Sequence, residues 1–252
     1  MNEGPHVDDE KMPVTQHLEE LRSRLIKCFV AVIAGFLFSY AFAKHLFNFL
    51  IHPLIVASPN VKLIYTSPQE AFVTYMKISF FAGLFLAAPV IFYQLWKFIV
   101  PGLYDKERTY VVPFVMAACI FFILGASFAF FVAFPFAFKF FMSFTTDRIE
   151  ALPSMREYLS LCMSLIIAFG ITFELPVIMF FLARLGIVDH KKLKRSRKYA
   201  VLIIACAAAF LTPPDMLSMI LLIVPLYCLY ELSILVVYFT RKKNAPAEEV
   251  AG

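Results

Sequence analysis

The chain is 252 residues long, 61% hydrophobic and only 16% charged, with a net charge of +5. Soluble domains run near half apolar and a quarter charged, so a water-solvated fold is excluded and lipid is the expected solvent. The basic residues sit in short loops between apolar runs, a distribution that sets membrane topology and argues against nucleic-acid binding.

A helix needs about 20 mostly apolar residues to cross a ~30 Å hydrocarbon core. The first candidate is Leu25–Ala43. Ala41-Phe42-Ala43 mimics a signal-peptide cleavage site, but the preceding segment is long and carries Asp8, Asp9, Glu10, Glu19 and Glu20, unlike a short basic leader. Within that segment Thr15–Leu25 reads as a short amphipathic helix, with Leu18, Leu21 and Leu25 on one face. There Glu20 is spaced to pair with Arg24 and Glu19 with Arg22, the plain structural reading of both acids.

The second span is Ala71–Trp96 and the third lies within Tyr110–Phe138, an uncharged stretch long enough to predict tilt or a break at Pro135. The loop between them holds Glu107 in a Lys-Glu-Arg triplet and a Pro101-Gly102 turn, with Tyr93, Trp96 and Tyr104 placed as interfacial anchors. The fourth span, Tyr158–Ala183, contains Glu174 about ten residues before Arg184, hence near mid-bilayer. A charge there is costly, so Glu174 is a functional candidate by default, in a wet cavity or protonated; the alternative is a structural hydrogen bond between helices. Pro176 frees a carbonyl on the preceding turn, which suits a polar cavity beside that carboxyl.

The fifth apolar run, Tyr199–Thr212, has 14 residues and reaches only ~21 Å. The sixth begins at Met216, is uninterrupted to Tyr230, meets Glu231 and fades by Thr240. Thr212-Pro213-Pro214-Asp215 joins the two as a tight turn, with Asp215 a helix cap or a functional acid. A hairpin shorter than the bilayer predicts local thinning or a polar recess. Seventeen basic residues fall on the side of the chain termini and the 94–110 and 184–198 loops, against six on the other side. Both termini are therefore expected in the cytoplasm, a parity that six spans satisfy. The outer loops, about 44–70 and 139–157, carry prolines and read as ordered turns or short helices.

Cys28, Cys119, Cys162, Cys206 and Cys228 lie in or beside apolar runs without a CxxC pair, which argues against a metal site or a disulfide framework. No Gly-rich phosphate loop, HExxH or GxSxG is present, and the five histidines are scattered. Nothing points to an enzyme, a metal or a cofactor.

Several short motifs carry the reading further. His17-Leu18-Glu19-Glu20-Leu21-Arg22 resembles the N-terminal signature of the TatC family of twin-arginine protein translocases. Tyr93-Gln94-Leu95-Trp96-Lys97-Phe98, Pro101-Gly102-Leu103-Tyr104 and Glu107-Arg108 resemble its first cytoplasmic loop. Ser67-Pro68, Phe173-Glu174-Leu175-Pro176 and Leu211-Thr212-Pro213-Pro214-Asp215 match in order and spacing, so the likeness covers about 15–240. It implies an all-α integral membrane protein with six transmembrane helices in a curved, cupped bundle and short fifth and sixth spans. One domain then spans 1–252, with disordered cytoplasmic tails at 1–14 and 241–252. The resemblance implies a receptor in the cell inner membrane for twin-arginine signal peptides of folded precursors. It also implies assembly with TatA- and TatB-type single-span subunits driven by the proton-motive force, in contact with membrane lipid and compatible with a homo-oligomer.

By the same resemblance, Glu20 and Glu107 form the cytoplasmic acidic pair that receives the arginines, with Arg22, Trp96 and Tyr104 around them. Glu174 is the intramembrane carboxyl on the concave face, and Asp215, Met219 and Glu231 are candidates for partner contact. Met219 stands where relatives often carry a polar residue. Two other classes fit the residues alone: a proton-coupled solute carrier using Glu174 as relay, against which no internal repeat is visible, and a scaffold that only recruits partners.

Overall fold

The computed structural model describes residues 14–57, 62–99, 111–144, 152–211 and 216–244. Among them the chain is helical, with one isolated parallel bridge between Ile64 and Ser154. The helices are α1 Val14–Ala41, α2 Ala43–Ala57, α3 Pro68–Ile99, α4 Val111–Phe128, α5 Phe134–Met142, α6 Met155–Phe173, α7 Leu175–Arg184, α8 His190–Arg195, α9 Arg197–Leu211 and α10 Met216–Asn244. Below, the N-face is the end of the bundle where α1 begins, and the far face is the opposite end.

The amphipathic stretch and the first apolar run form one helix, because no Gly or Pro interrupts the chain from residue 14 to residue 34. The first outer loop contains α2, a 15-residue helix that tolerates Pro53. Phe49 on α2 stacks flat on Phe130 at 4.4 Å, which seats α2 on the third span.

Proline shapes the third and fourth spans. Pro135 has no N–H to give the carbonyl of Phe131, and its ring would crowd that carbonyl. The chain responds with a π-helical turn over Ala129–Ala133, between α4 and α5, so the expected break takes the form of a widened turn. Pro176 similarly cannot bond the carbonyl of Thr172, and the fourth span divides at Glu174 into α6 and α7. The Thr172 hydroxyl turns back to the Ala168 carbonyl at 2.6 Å.

Five segments are long and apolar enough to cross a bilayer: Leu18–Ala41, Pro68–Ile99, Val112–Met142, Met155–Arg184 and Leu222–Thr240. The remaining crossing is α9, whose 15 residues reach about 22 Å. The sixth helix, by contrast, does not stop where its uninterrupted apolar part ends; α10 continues through Glu231 to Asn244, since Leu232–Phe239 is again apolar.

With lipid as solvent, close packing replaces hydrophobic exclusion as the force between helices, and small residues let backbones approach. At the crossing of α1 and α3, a Cβ on Gly35 would stand 2.6 Å from the Gly83 carbonyl oxygen. Gly125 on α4 meets the Phe169 carbonyl of α6 in the same way. The main core is centred on Phe134, Leu159, Cys162 and Phe169 and extends to Leu193, Ile234 and Val237 near the N-face. A second, aromatic core of Trp96, Phe114, Val177 and Phe181 fills the N-face.

Candidate functional site

Glu20 and Arg24 sit one turn apart on α1, and the i,i+4 pair expected from their spacing forms. Arg24 Nε donates to Glu20 Oε1 at 3.0 Å, and Nη2 reaches the same oxygen. Arg24 Nη1 also approaches Gln94 Oε1 on α3 at 3.4 Å. A single guanidinium therefore ties the start of α1 to the end of α3. The Glu20 side chain keeps 26% of its surface open. Arg22, Leu18, Leu21 and Leu25 are exposed on the same helix, so among the described residues nothing covers its apolar stripe.

Trp96 departs from the expectation of an interfacial anchor beside the signal-binding acids. Its side chain is only 5% exposed. The ring stacks on Phe114 at 5.0 Å and meets Phe181 edge-on at 4.4 Å. The reason is geometric: the last turn of α3 points Trp96 inward between α4 and α7, where two phenyl rings accept a large flat side chain. Trp96 is a packing residue that fixes the base of the 94–110 loop. Tyr93 does sit at the surface, with Lys97 Nζ 5.8 Å from its ring centre. Glu107, Tyr104 and Asp215 lie outside the described residues.

Glu174 occupies the junction of α6 and α7, so the span read as one run, Tyr158–Ala183, divides there beside the carbonyl freed by Pro176. The side chain is 7% exposed, and Oε1 is buried with no hydrogen-bond partner. Two large apolar hollows open elsewhere in the bundle, neither with Glu174 in its wall. One, of about 540 Å³, opens between α1, α2, α3 and α4. The other, of about 390 Å³, lies between α4, α7 and α10.

The candidates for partner contact separate. Met219 is half-buried against the main core. Glu231 is engaged within the chain: Arg197 Nη2 donates to Oε2 at 2.6 Å, and the Tyr227 hydroxyl donates to Oε1 at 2.9 Å. Among the described residues no three His, Cys, Asp or Glu side chains converge as metal ligands. Cys162 is buried, Cys206 and Cys228 face outward, and all five cysteines are free.

A further acid was not singled out from the sequence. Glu70 Oε1 accepts from the Ser154 hydroxyl at 2.7 Å and from the Arg156 N–H at 2.9 Å. Its Oε2 accepts from the Thr66 N–H at 2.8 Å and the Thr66 hydroxyl at 3.0 Å. One carboxylate thus caps α6 from another helix and holds the loop before its own. The backbone is joined at the same point, with Ile64 N–H on the Pro153 carbonyl at 3.1 Å and Met155 N–H on the Ile64 carbonyl at 2.8 Å. The signal was present: Ser67-Pro68-Gln69-Glu70 has the spacing of a capping box with Pro at the first helical position.

This geometry can now be set beside known proteins. The family model for the Sec-independent protein translocase protein TatC matches residues 16–225. The chain belongs to the TatC family. The TatC protein of Desulforapulum autotrophicum is 46% identical over 246 residues, covering 97% of this chain and 91% of its own. The TatC protein of Escherichia coli K12 is 38% identical over 242 residues, covering 96% and 94%. A crystal structure described as the twin arginine translocase receptor TatC superposes with a TM-score of 0.82 at 36% identity, over 89% of this chain and 99% of that one. The six-span, cupped TatC bundle is therefore the fold of this multi-pass membrane protein, and TatC membership makes it a component of protein transport rather than an enzyme.

Proposed function

We propose that this TatC chain is the receptor for twin-arginine signal peptides and the platform on which TatA- and TatB-type subunits assemble in the cell inner membrane, powered by the proton-motive force. The observation that carries this reading is the fit, over nearly the full chain, to a solved structure described as the twin arginine translocase receptor. In this reading the whole chain is one domain and the N-face is cytoplasmic, in accord with the basic residues concentrated there.

Glu20 and Glu107 receive the two arginines. A guanidinium offers a planar fork that matches a carboxylate, which an ammonium does not. Glu20 already holds a guanidinium, that of Arg24, so the incoming arginine competes with an internal copy of itself. An exposed pair of this kind contributes only about 0–1 kcal/mol, so the apolar segment of the signal supplies further affinity by lying along the bundle. The unpaired oxygen of Glu174 gives a polar group of an inserted helix a place to bond.

The test is retention of the purified chain on immobilised peptides carrying Arg-Arg or Lys-Lys before the same apolar segment. Binding to Arg-Arg should exceed binding to Lys-Lys at least tenfold and fall by a similar factor in Glu20→Ala and Glu107→Ala. Equal retention on both peptides, or undiminished binding by both variants, removes the acidic pair from the model.

A further inference from the structure

The N-face is not level, and the step in it is built from three contacts along α10. His190 lies against the ring of Tyr238 at 5.4 Å. The Leu193 carbonyl accepts from the Tyr230 hydroxyl at 2.8 Å, and Arg197 pairs with Glu231 at 2.6 Å. Tyr238 and Glu231 are separated by about 10 Å of helix. From His190 to Arg197 the chain therefore runs back along α10 by that distance, toward the middle of the bilayer. Asp189 starts this descent by capping α8, and Leu193 anchors it in the core.

The two flanks of α10 then meet the membrane at different heights. Leu235 and Phe239 are exposed apolar side chains high on α10, and α7 is apolar up to Arg184. On the α8 side, Lys191, Lys192, Lys194, Arg195 and Lys198 are all exposed. Immediately below them on α9, Tyr199, Leu202 and Ile203 are exposed and apolar. Lys198 Nζ lies 5.0 Å from the centre of the Tyr199 ring, which holds that ammonium at the junction of the charged and apolar surfaces. These five cations are spread down that descent of about 10 Å, with Lys198 at its foot, and cannot meet hydrocarbon; headgroups must follow them down.

We infer that the ledge formed by α8 and the start of α9 is a binding site for anionic phospholipid. The phosphate is held by Lys191, Lys192, Lys194, Arg195 and Lys198, and the acyl chains lie on Tyr199, Leu202 and Ile203. The site draws the inner leaflet toward the short fifth span. Charge complementarity selects the occupant, each basic residue near an acidic surface raising association about fivefold. The inference uses only the cytoplasmic placement of the N-face from the proposed function.

The purified full chain, stripped of lipid in neutral detergent, is titrated with phosphatidylglycerol and separately with phosphatidylcholine, and bound lipid is counted by native mass spectrometry. The first phosphatidylglycerol should bind at least tenfold more tightly than phosphatidylcholine. The variant K191Q/K192Q/K194Q/R195Q should lose most of that preference. The variant K44Q/K62Q/K77Q/K139Q, equal in charge change but on the far face, should keep it. Raising salt tenfold on the unmodified protein should weaken phosphatidylglycerol several-fold, a reading that requires no variant to fold. Retained preference in the ledge variant, equal loss in both variants, or indifference to salt overturns the site. Arg-Arg peptide retention separates the two ideas: in the unmodified protein, no preference for phosphatidylglycerol with intact peptide binding refutes the ledge alone, and the reverse refutes the receptor alone.

Discussion

Gly83→Ala on α3 tests how the face proposed to receive the signal peptide is held. The crossing of α1 and α3 brings two glycines face to face, and a Cβ on either meets the backbone of the opposite helix rather than a movable side chain. On Gly83 that Cβ would lie 2.4 Å from the Phe36 backbone nitrogen, where ordinary contact begins at 3.4 Å, so the helices must part by about 1 Å. Neither partner can rotate away, and overpacking of this kind costs about 1–3 kcal/mol. The displacement matters beyond stability. Glu20 is on α1 and the 94–110 loop leaves the end of α3, so the crossing sets the distance between them. A shift near 1 Å exceeds the ~0.5 Å tolerance of a preorganised polar site. Gly83→Ala should lower the melting temperature in detergent by several degrees and reduce Arg-Arg peptide binding at least fivefold. Ala82→Gly, one residue away, should cost only its small helix-propensity difference of about 1 kcal/mol and leave binding intact. Wild-type melting and wild-type peptide affinity in Gly83→Ala would refute the argument that this contact positions the receptor face.

Three further outcomes follow from the contacts described. Arg24→Gln removes the internal guanidinium from Glu20 and should raise Arg-Arg peptide affinity about three- to fivefold in an equilibrium binding assay, whereas a purely positioning role for Arg24 would lower it. Trp96→Phe should keep most of the N-face core and peptide binding, while Trp96→Ala opens a cavity between Phe114 and Phe181 and should cost about 3 kcal/mol in a reversible unfolding assay; a binding loss in Trp96→Phe without a stability loss would restore Trp96 as a surface contact. Glu70→Ala should release the joined outer loops, read as faster protease cleavage near residues 62–67 and 152–154 in right-side-out vesicles, with Glu70→Gln intermediate because one carbonyl oxygen still accepts. Unchanged cleavage in Glu70→Ala would show that the Ile64–Ser154 bridge alone holds the loops.

The spans were legible because apolar runs of bilayer length have few other fates, and the break at Pro135 and the carbonyl freed by Pro176 because proline withdraws a donor at a known offset. Less legible was anything set by facing between helices. Trp96 at the end of an apolar run next to a basic loop has the signature of an interfacial anchor, and the sequence carries no mark of Phe114 and Phe181 waiting on other helices. Glu231 looked like a lone acid in a span; its partner Arg197 belongs to a loop cluster that reads as a topology signal. Glu70 escaped because a capping box is local, while half of this carboxylate's contacts come from a loop 84 and more residues away. The sixth helix outran its apolar run because pairing with Arg197 and Tyr227 lets a carboxylate sit within a continuous helix.

The polar side chains inside the spans show what the fold does with such groups and make Glu174 the exception. Ser79 bonds the Tyr75 carbonyl at 2.7 Å, Thr172 the Ala168 carbonyl at 2.6 Å, and Ser233 the Leu229 carbonyl at 2.8 Å, each within its own helix. Tyr158 reaches the Leu50 carbonyl on α2 at 2.8 Å. Each hydroxyl in this series is satisfied by a backbone carbonyl, on its own helix or a neighbouring one, as a medium without competing donors demands. Glu174, larger and harder to desolvate, is placed at a break in its helix with one oxygen left unbonded. A chain that satisfies small polar groups so consistently retains this vacancy at a cost, and bonding to a donor on a second helix would recover it. If the proposed partner helix docks there, stability and assembly are coupled at this one atom. Glu174→Leu should therefore stabilise the isolated protein while abolishing transport in membranes, whereas loss of both together would identify Glu174 as an ordinary structural residue.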